Sequence, residues 1–259
     1  MKIIDKEMPF LEHLEEFRNR IIKAIIGVVI GAIICLVFSK PLLNVLLWPT
    51  TQINLPIEIQ VLKVQGMFVV TLEIAFFGGI ILSLPFILYQ MWMFVAPGLY
   101  IHERKYVPRI ITSATILFLA GVAFAYFVIF PFALRFFLGL APEAIKTNIA
   151  IDFYISFLIR LLIVFGIVFQ LPIMSYFLSR LGILSPAFMR KYRKHSIVVI
   201  FVLAALFTPP DPLTQVLLAI PLVLLYELSI FISVAVYKGK AARKLEEIER
   251  KKKGKKETD

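Results

Sequence analysis

The residues of this chain that could ionise, ligate a metal or attack a bond are few and widely spaced. Histidine occurs three times, as His13, His102 and His195, with no HExxH pair and no His/Cys cluster to hold a metal. Cys35 is the single cysteine, so neither an intrachain disulfide nor a Cys-based metal site is expected. No GxxxxGK[ST] phosphate loop is present, which argues against ATP hydrolysis by this chain. What remains is a set of acids and one amide. Glu12 and Glu16 stand four apart before the first apolar run and share a helical face. Glu103 is a lone acid beside Arg104 and Lys105. Gln170 and Glu227 lie inside apolar runs, where a polar group needs a partner. Such groups bind cations or pin helices together. No catalytic residue, no metal and no cofactor is expected.

The elements that position these groups follow from composition. The chain has 259 residues, 60% hydrophobic and 17% charged, with mean hydropathy +0.88. Soluble domains run at about 45–50% apolar and about 25% charged. A soluble enzyme, a disordered chain and a nucleic-acid-binding domain are therefore disfavoured. A span needs ~20 residues, and six apolar segments fit: 21–38, 68–92, 110–134, 153–178, 197–207 and 213–236. The fifth, at eleven residues, covers about half a bilayer core. It ends at Thr208-Pro209-Pro210-Asp211-Pro212, where three prolines force a turn. The last two segments thus read as a short hairpin, which would thin the bilayer locally or leave a wet recess. No cleavable signal peptide is expected, because the first apolar run starts only at Ile21 and lacks a small-residue cleavage site.

Basic residues set the orientation. The N-terminal segment carries five, the 93–109 loop three, the 179–196 loop five and the tail after Tyr237 ten. The opposite side carries four: Lys40, Lys63, Arg135 and Lys146. Six spans with both termini in the cytoplasm preserve this asymmetry. The domain organisation expected is one membrane domain, 1–236, and a charged cytosolic tail, 237–259. All three histidines then lie in cytosolic segments, which disfavours an intramembrane serine protease.

Each polar group has a plain reading and a functional one. The stretch Phe10 to Arg20 reads as an amphipathic helix on the cytosolic surface before the first span. Its acids are either a solvated face, with Glu16 and Arg20 as an i,i+4 pair, or a patch for a cationic partner. Trp92, Phe94 and Tyr100 fit an interfacial aromatic belt. Glu103 is either half of a local ion pair or part of a site. Glu73 and Arg160 lie one or two turns inside their spans and are expected to snorkel or pair. Gln170 faces another helix or a wet cavity. Glu227 is either functional or a helix–helix pin.

At these residues the chain resembles the TatC family, the multispanning subunits of the twin-arginine protein translocase. The motifs are Glu12-His13-Leu14-Glu15-Glu16-Phe17-Arg18-Asn19-Arg20, the aromatic stretch Pro85 to Glu103, and Phe165-Gly166 followed by Pro172. They continue with Thr208-Pro209-Pro210-Asp211 followed by Gln215, and Leu218 to Leu222 followed by Tyr226-Glu227. Together they run in order from about Leu11 to Phe231. The resemblance implies an all-α polytopic membrane protein with six transmembrane helices, the last two short, in a concave glove-like arrangement. It implies a receptor for the signal peptides of folded cargo proteins, in which two consecutive arginines meet Glu16 and Glu103. Guanidinium–carboxylate contacts can be bidentate, which lysine cannot reproduce. Phe94 would hold the apolar residue that follows, and Arg18 and His13 would orient the N-terminal helix.

The same resemblance places Gln170, Thr208, Asp211, Gln215 and Glu227 at polar positions near the docking site of TatA- and TatB-like single-span partners, in an oligomeric complex powered by the proton motive force. Many family members carry Glu at the position of Gln170, so a proton relay there is not expected. The implied location is the cytoplasmic (inner) membrane, with lipid and protein partners and no nucleic acid. The alternative is a small secondary transporter, which would need convergent polar groups at the midplane of several spans.

Overall fold

The computed structural model describes residues 10–52, 57–95, 107–140, 147–207 and 212–256. The chain forms two compact units, residues 1–165 and 166–259, with the boundary in the last turn of one helix.

In the first unit, α1 (Phe10–Val37) and α2 (Ser39–Thr51) lead to a short strand, β1 (Ile57–Gln60). Then come α3 (Gly66–Val95), α4 (Val107–Phe124), a π-helical turn over Ala125–Ile129, and α5 (Phe130–Gly139). Strand β2 (Thr147–Ala150) runs directly into α6 (Ile151–Val168). The π turn lies just before Pro131, which has no N–H to give to the carbonyl four residues back; the widened turn takes up that mismatch.

Glycine spacing sets the main helix pair. Gly27 and Gly31 lie one turn apart on α1 and meet α3 at Phe86 and Gly79. A Cβ at Gly31 would stand 2.7 Å from the Gly79 carbonyl oxygen, and a Cβ at Gly79 would collide with the backbone of Ala32. Within lipid, helices gain attraction through such close backbone approach. Buried Cys35 packs at the same seam against Gly78. The other side of α1 stays open, with Ile22, Ile25, Ile26, Val29, Ile30 and Ile33 exposed. An apolar face of that extent suits hydrocarbon, not water.

The strands pair in parallel, with Ile57 opposite Thr147 and Gln60 opposite Ala150. Each strand leads into a helix, so α3 and α6 start on the same side of the unit. Lys63, just before α3, donates to Asp152 in the first turn of α6 at 2.7 Å. Further in, Ser156 of α6 donates to the Glu73 carboxylate of α3 at 2.7 and 2.8 Å. The buried stripe of α6, Ile151, Ile155, Leu158, Leu162 and Phe165, recurs every three or four residues. Phe124 and Phe130 close against it through Phe165 and Tyr154.

The second unit holds α7 (Leu171–Leu181), α8 (Pro186–Lys191), α9 (Arg193–Phe207) and α10 (Pro212–Lys256). Pro172 at the start of α7 cannot donate to the carbonyl of Val168, and the helix breaks at Phe169-Gln170. Gly182, with φ 83°, ends α7 in the left-handed conformation that a side chain resists. α7 and α10 pack together, and buried Ser179 and Ser233 share a hydrogen bond at 2.6 Å.

Among the described residues five helical stretches are long and apolar enough to cross a membrane: Leu11–Val37, Gly66–Val95, Val107–Gly139, Ile151–Leu181 and Gln215–Gly239. The fifth apolar segment expected from the sequence is α9, 15 residues or about 22 Å. The sixth lies in α10, which continues beyond it to Lys256. The apolar part of α10 is 25 residues, and Pro221 does not end the helix. A separate surface helix before the first span is not formed. Nothing between Phe10 and Ile21 breaks helical hydrogen bonding, so α1 runs unbroken from one into the other. Trp92 is also not an outward belt residue: it is buried, because position 92 falls on the packed face of α3 with Leu88.

Candidate functional site

The first turns of α1 lie against the last turns of α3, and the polar groups gather there. Arg20 reaches across. One nitrogen donates to Gln90 Oε1 at 3.2 Å, while Nη2 and Nε donate to Glu16 Oε1 at 2.9 and 3.3 Å. The i,i+4 pair expected of Glu16 and Arg20 is present, and both side chains are about four-fifths buried. Glu16 Oε2 is buried with no hydrogen-bond partner. A buried carboxylate oxygen in that state carries an unmet demand for a donor.

One turn before Glu16 the contact becomes aromatic. Phe94 of α3 stacks on His13 with ring centres 4.5 Å apart and tilts against Phe17 at 5.1 Å. Helical spacing explains the grouping. His13, Phe17 and Arg20 follow at intervals of four and three, so one face of α1 presents all three to α3. A cleft of about 330 Å³ opens beside this face, lined by Glu12, Glu15, Glu16, Asn19, Arg20 and Lys23. It is rich in carboxylate, and Glu16 on its wall keeps one oxygen, Oε2, buried without a donor.

The structure brings His13, Glu16 and Phe94 together. Arg18 is not in the group. It points to solvent and, among the described residues, donates only to Glu15 at 3.2 Å, both side chains about two-thirds exposed; such a pair contributes little. Arg20 makes the link to α3 instead. Gln90 is the residue that sequence reasoning passed over. Its signal was present: an amide inside the apolar run Leu88-Tyr89-Gln90-Met91-Trp92, which must find a partner when buried. Glu103, Tyr100 and His102 lie outside the described residues.

Gln170 occupies the turn between α6 and α7, its N–H bonded to Ile167 and its carbonyl accepting from Met174. Gln215 donates to the Phe201 carbonyl at 2.9 Å and ties α10 to α9. Glu227 accepts from Arg193 at 2.6 Å, and neighbouring Tyr226 donates to the Met189 carbonyl. Thr208 and Asp211 lie outside the described residues. Glu73 bonds to Ser156, and Arg160, one turn further along α6, is exposed. No group of three metal-ligating side chains occurs among the described residues.

The family model of the Sec-independent protein translocase protein (TatC) matches residues 12–221. The chain belongs to the TatC family. A TatC from Carboxydothermus hydrogenoformans is 45% identical over 230 residues, 88% of this chain and 94% of that protein. The Escherichia coli TatC is 38% identical over 252 residues, 94% of each. Among solved structures, the crystal structure of the twin-arginine translocase receptor TatC superposes with a TM-score of 0.81 at 38% identity, covering 87% of this chain and 99% of that one. This TatC-family chain is accordingly an all-α, multi-span membrane protein of a protein-transport system. The match begins at Glu12, so the His13–Glu16–Phe94 grouping lies within the family region.

Proposed function

We propose that this TatC-family chain is the receptor core of a twin-arginine translocase. It binds the twin-arginine signal peptides of folded proteins and organises single-span TatA- and TatB-like partners for export across the cytoplasmic membrane. The observation that carries this reading is the Glu16 carboxylate. Arg20 engages one oxygen, while the other is buried without a donor beside an acid-lined cleft. An incoming guanidinium supplies that donor. It binds a carboxylate through paired N–H groups, which an ammonium cannot do. Phe94, held by His13 and Phe17, offers an apolar surface next to the acid for the residue after the arginines. Glu103 is the second acid of the proposed pair, assigned by its place in the Pro85–Glu103 motif.

In this reading both termini face the cytoplasm, as the excess of basic residues in that set of connections requires. Gln170, Thr208, Asp211, Gln215 and Glu227 are proposed polar positions for partner helices. Gln170 serves there as a hydrogen-bonding group that does not titrate.

The test is binding of a labelled twin-arginine signal peptide to the purified protein in nanodiscs. A twin-lysine peptide and the Glu16→Gln and Glu103→Gln variants complete the set. We expect the lysine peptide and each variant to lose about 1–3 kcal/mol, the size of a charge-assisted hydrogen bond. Equal binding in all combinations would reduce the acids to surface charges and remove the receptor assignment from these residues.

A further inference from the structure

The second unit has a cleft of its own, where α8 and α9 meet α10. It encloses about 400 Å³ and is lined by Arg190, Arg193, Glu227, Ile230 and Phe231. Its two halves differ in chemistry. On one side are two arginines three residues apart, in the last turn of α8 and the first turn of α9. On the other is a single turn of α10 that ends in exposed Phe231.

The charges do not cancel. Arg193 donates to Glu227 at 2.6 Å through Nη2, which neutralises the acid and fixes the guanidinium. That contact uses one of five N–H donors. Arg190 is exposed and makes no ion pair among the described residues. Lys191 and Lys194 are exposed beside it and add positive charge. The cleft therefore keeps a surplus of guanidinium donors in a positive surround.

The apolar half extends away from the cleft. Ile220, Leu224, Leu228 and Phe231 are all exposed and recur at intervals of three or four along α10. They form one strip about 16 Å long, within the stretch Gln215–Gly239 that is long and apolar enough to cross a membrane. A basic socket at the head of an apolar strip matches one class of molecule: a phosphate-bearing headgroup joined to an acyl chain.

We propose that this cleft is a binding site for an anionic phospholipid. Its phosphate sits between Arg190 and Arg193, and one acyl chain lies along Ile220, Leu224, Leu228 and Phe231. Guanidinium groups bind phosphate oxygens in pairs, and basic pockets between membrane helices select anionic headgroups. A zwitterionic lipid brings a cation that Lys191, Lys194 and Arg190 repel, so the site discriminates by net headgroup charge.

The experiment is native mass spectrometry of the delipidated full chain, titrated separately with dioleoyl phosphatidylglycerol and dioleoyl phosphatidylcholine. We expect tighter binding of the glycerol lipid, weakened about fivefold by Arg190→Gln and again by Arg193→Gln, the effect of removing one basic group from an anionic lipid surface. Lys238→Gln, exposed near the end of the apolar part of α10, should leave the preference intact. Arg190→Gln breaks no described contact and carries the test alone if Arg193→Gln, which strands Glu227, fails to fold. Equal affinity for the two lipids, or a preference that survives Arg190→Gln, overturns the proposal. So does displacement of the lipid by inorganic phosphate at equal concentration, which would make the cleft a site for a soluble anion.

Discussion

Gly31→Ala is a sharp test of how the α1–α3 seam supports the proposed peptide site. The new methyl would meet the Gly79 carbonyl oxygen at 2.7 Å, against ordinary contact at 3.4 Å and beyond. The obstructing atom is backbone, so no rotamer change relieves it, and the helices must part by about 0.7 Å in a well-packed seam. Gly31 lies eleven residues from Arg20, roughly 16 Å along α1. If the helices part as rigid rods, the Arg20–Gln90 bond of 3.2 Å stretches to about 3.9 Å, beyond a hydrogen bond.

Overpacking costs about 1–3 kcal/mol, and the lost bond adds up to about 1.5 kcal/mol. The gain in helix propensity from glycine to alanine offsets about 1 kcal/mol. The net expectation is a loss of up to about 3.5 kcal/mol, or up to about 14 °C in Tm for a chain of this size. Thermal unfolding in detergent, followed by fluorescence-detected size exclusion, measures it. Gly139→Ala is the control: nothing lies within 4 Å of a Cβ there, so stability should hold or rise by up to about 1 kcal/mol. The peptide-binding assay should show weaker binding for Gly31→Ala than for Gly139→Ala. Equal stability and equal binding for the two alanine variants would refute the claim that glycine contact at the seam sets the site.

Two further variants probe polar contacts inside the units. Ser156→Ala removes the hydroxyl that donates to Glu73 and should cost about 1–3 kcal/mol; adding Glu73→Leu should recover most of the loss, and a double-mutant cycle that shows simple additivity would count against the contact. Ser179→Ala should strand Ser233 in a fully buried position and cost about 1 kcal/mol or more, whereas the Ser179→Ala/Ser233→Ala pair should come closer to wild type, a reversal that Tm measurements read directly.

Much of this molecule is legible from local chemistry. Apolar runs of span length with few charges have few alternatives, because an unpaired backbone in hydrocarbon is too costly for anything but a helix or a closed barrel. Hence the runs around 21–38, 68–92 and 110–134 lie within the helices described. The Glu16–Arg20 pair was also legible, since it depends only on i,i+4 geometry within one helix. The turn at Phe169-Gln170 was not. Proline at 172 sits inside a long apolar run, and whether it kinks or interrupts a helix depends on what packs around it. Strands β1 and β2 escaped notice for a related reason. Four residues each carry little pattern, and they exist by pairing with each other across 86 intervening positions.

The sequence by itself determined the class of protein, its span pattern and, through motifs, its family. Those depend on composition and on spacing within single helices. Tertiary structure decided which polar groups meet. Arg20, not Arg18, reaches Gln90; Phe94 lies on His13; Glu73 takes a serine and not Arg160; Glu227 takes Arg193. A helix fixes which residues share a face, but the rotation of that face toward a neighbour is set by the packing of both. Here that packing is governed in large part by Gly31 and Gly79, glycines on two helices that meet only once the chain has folded.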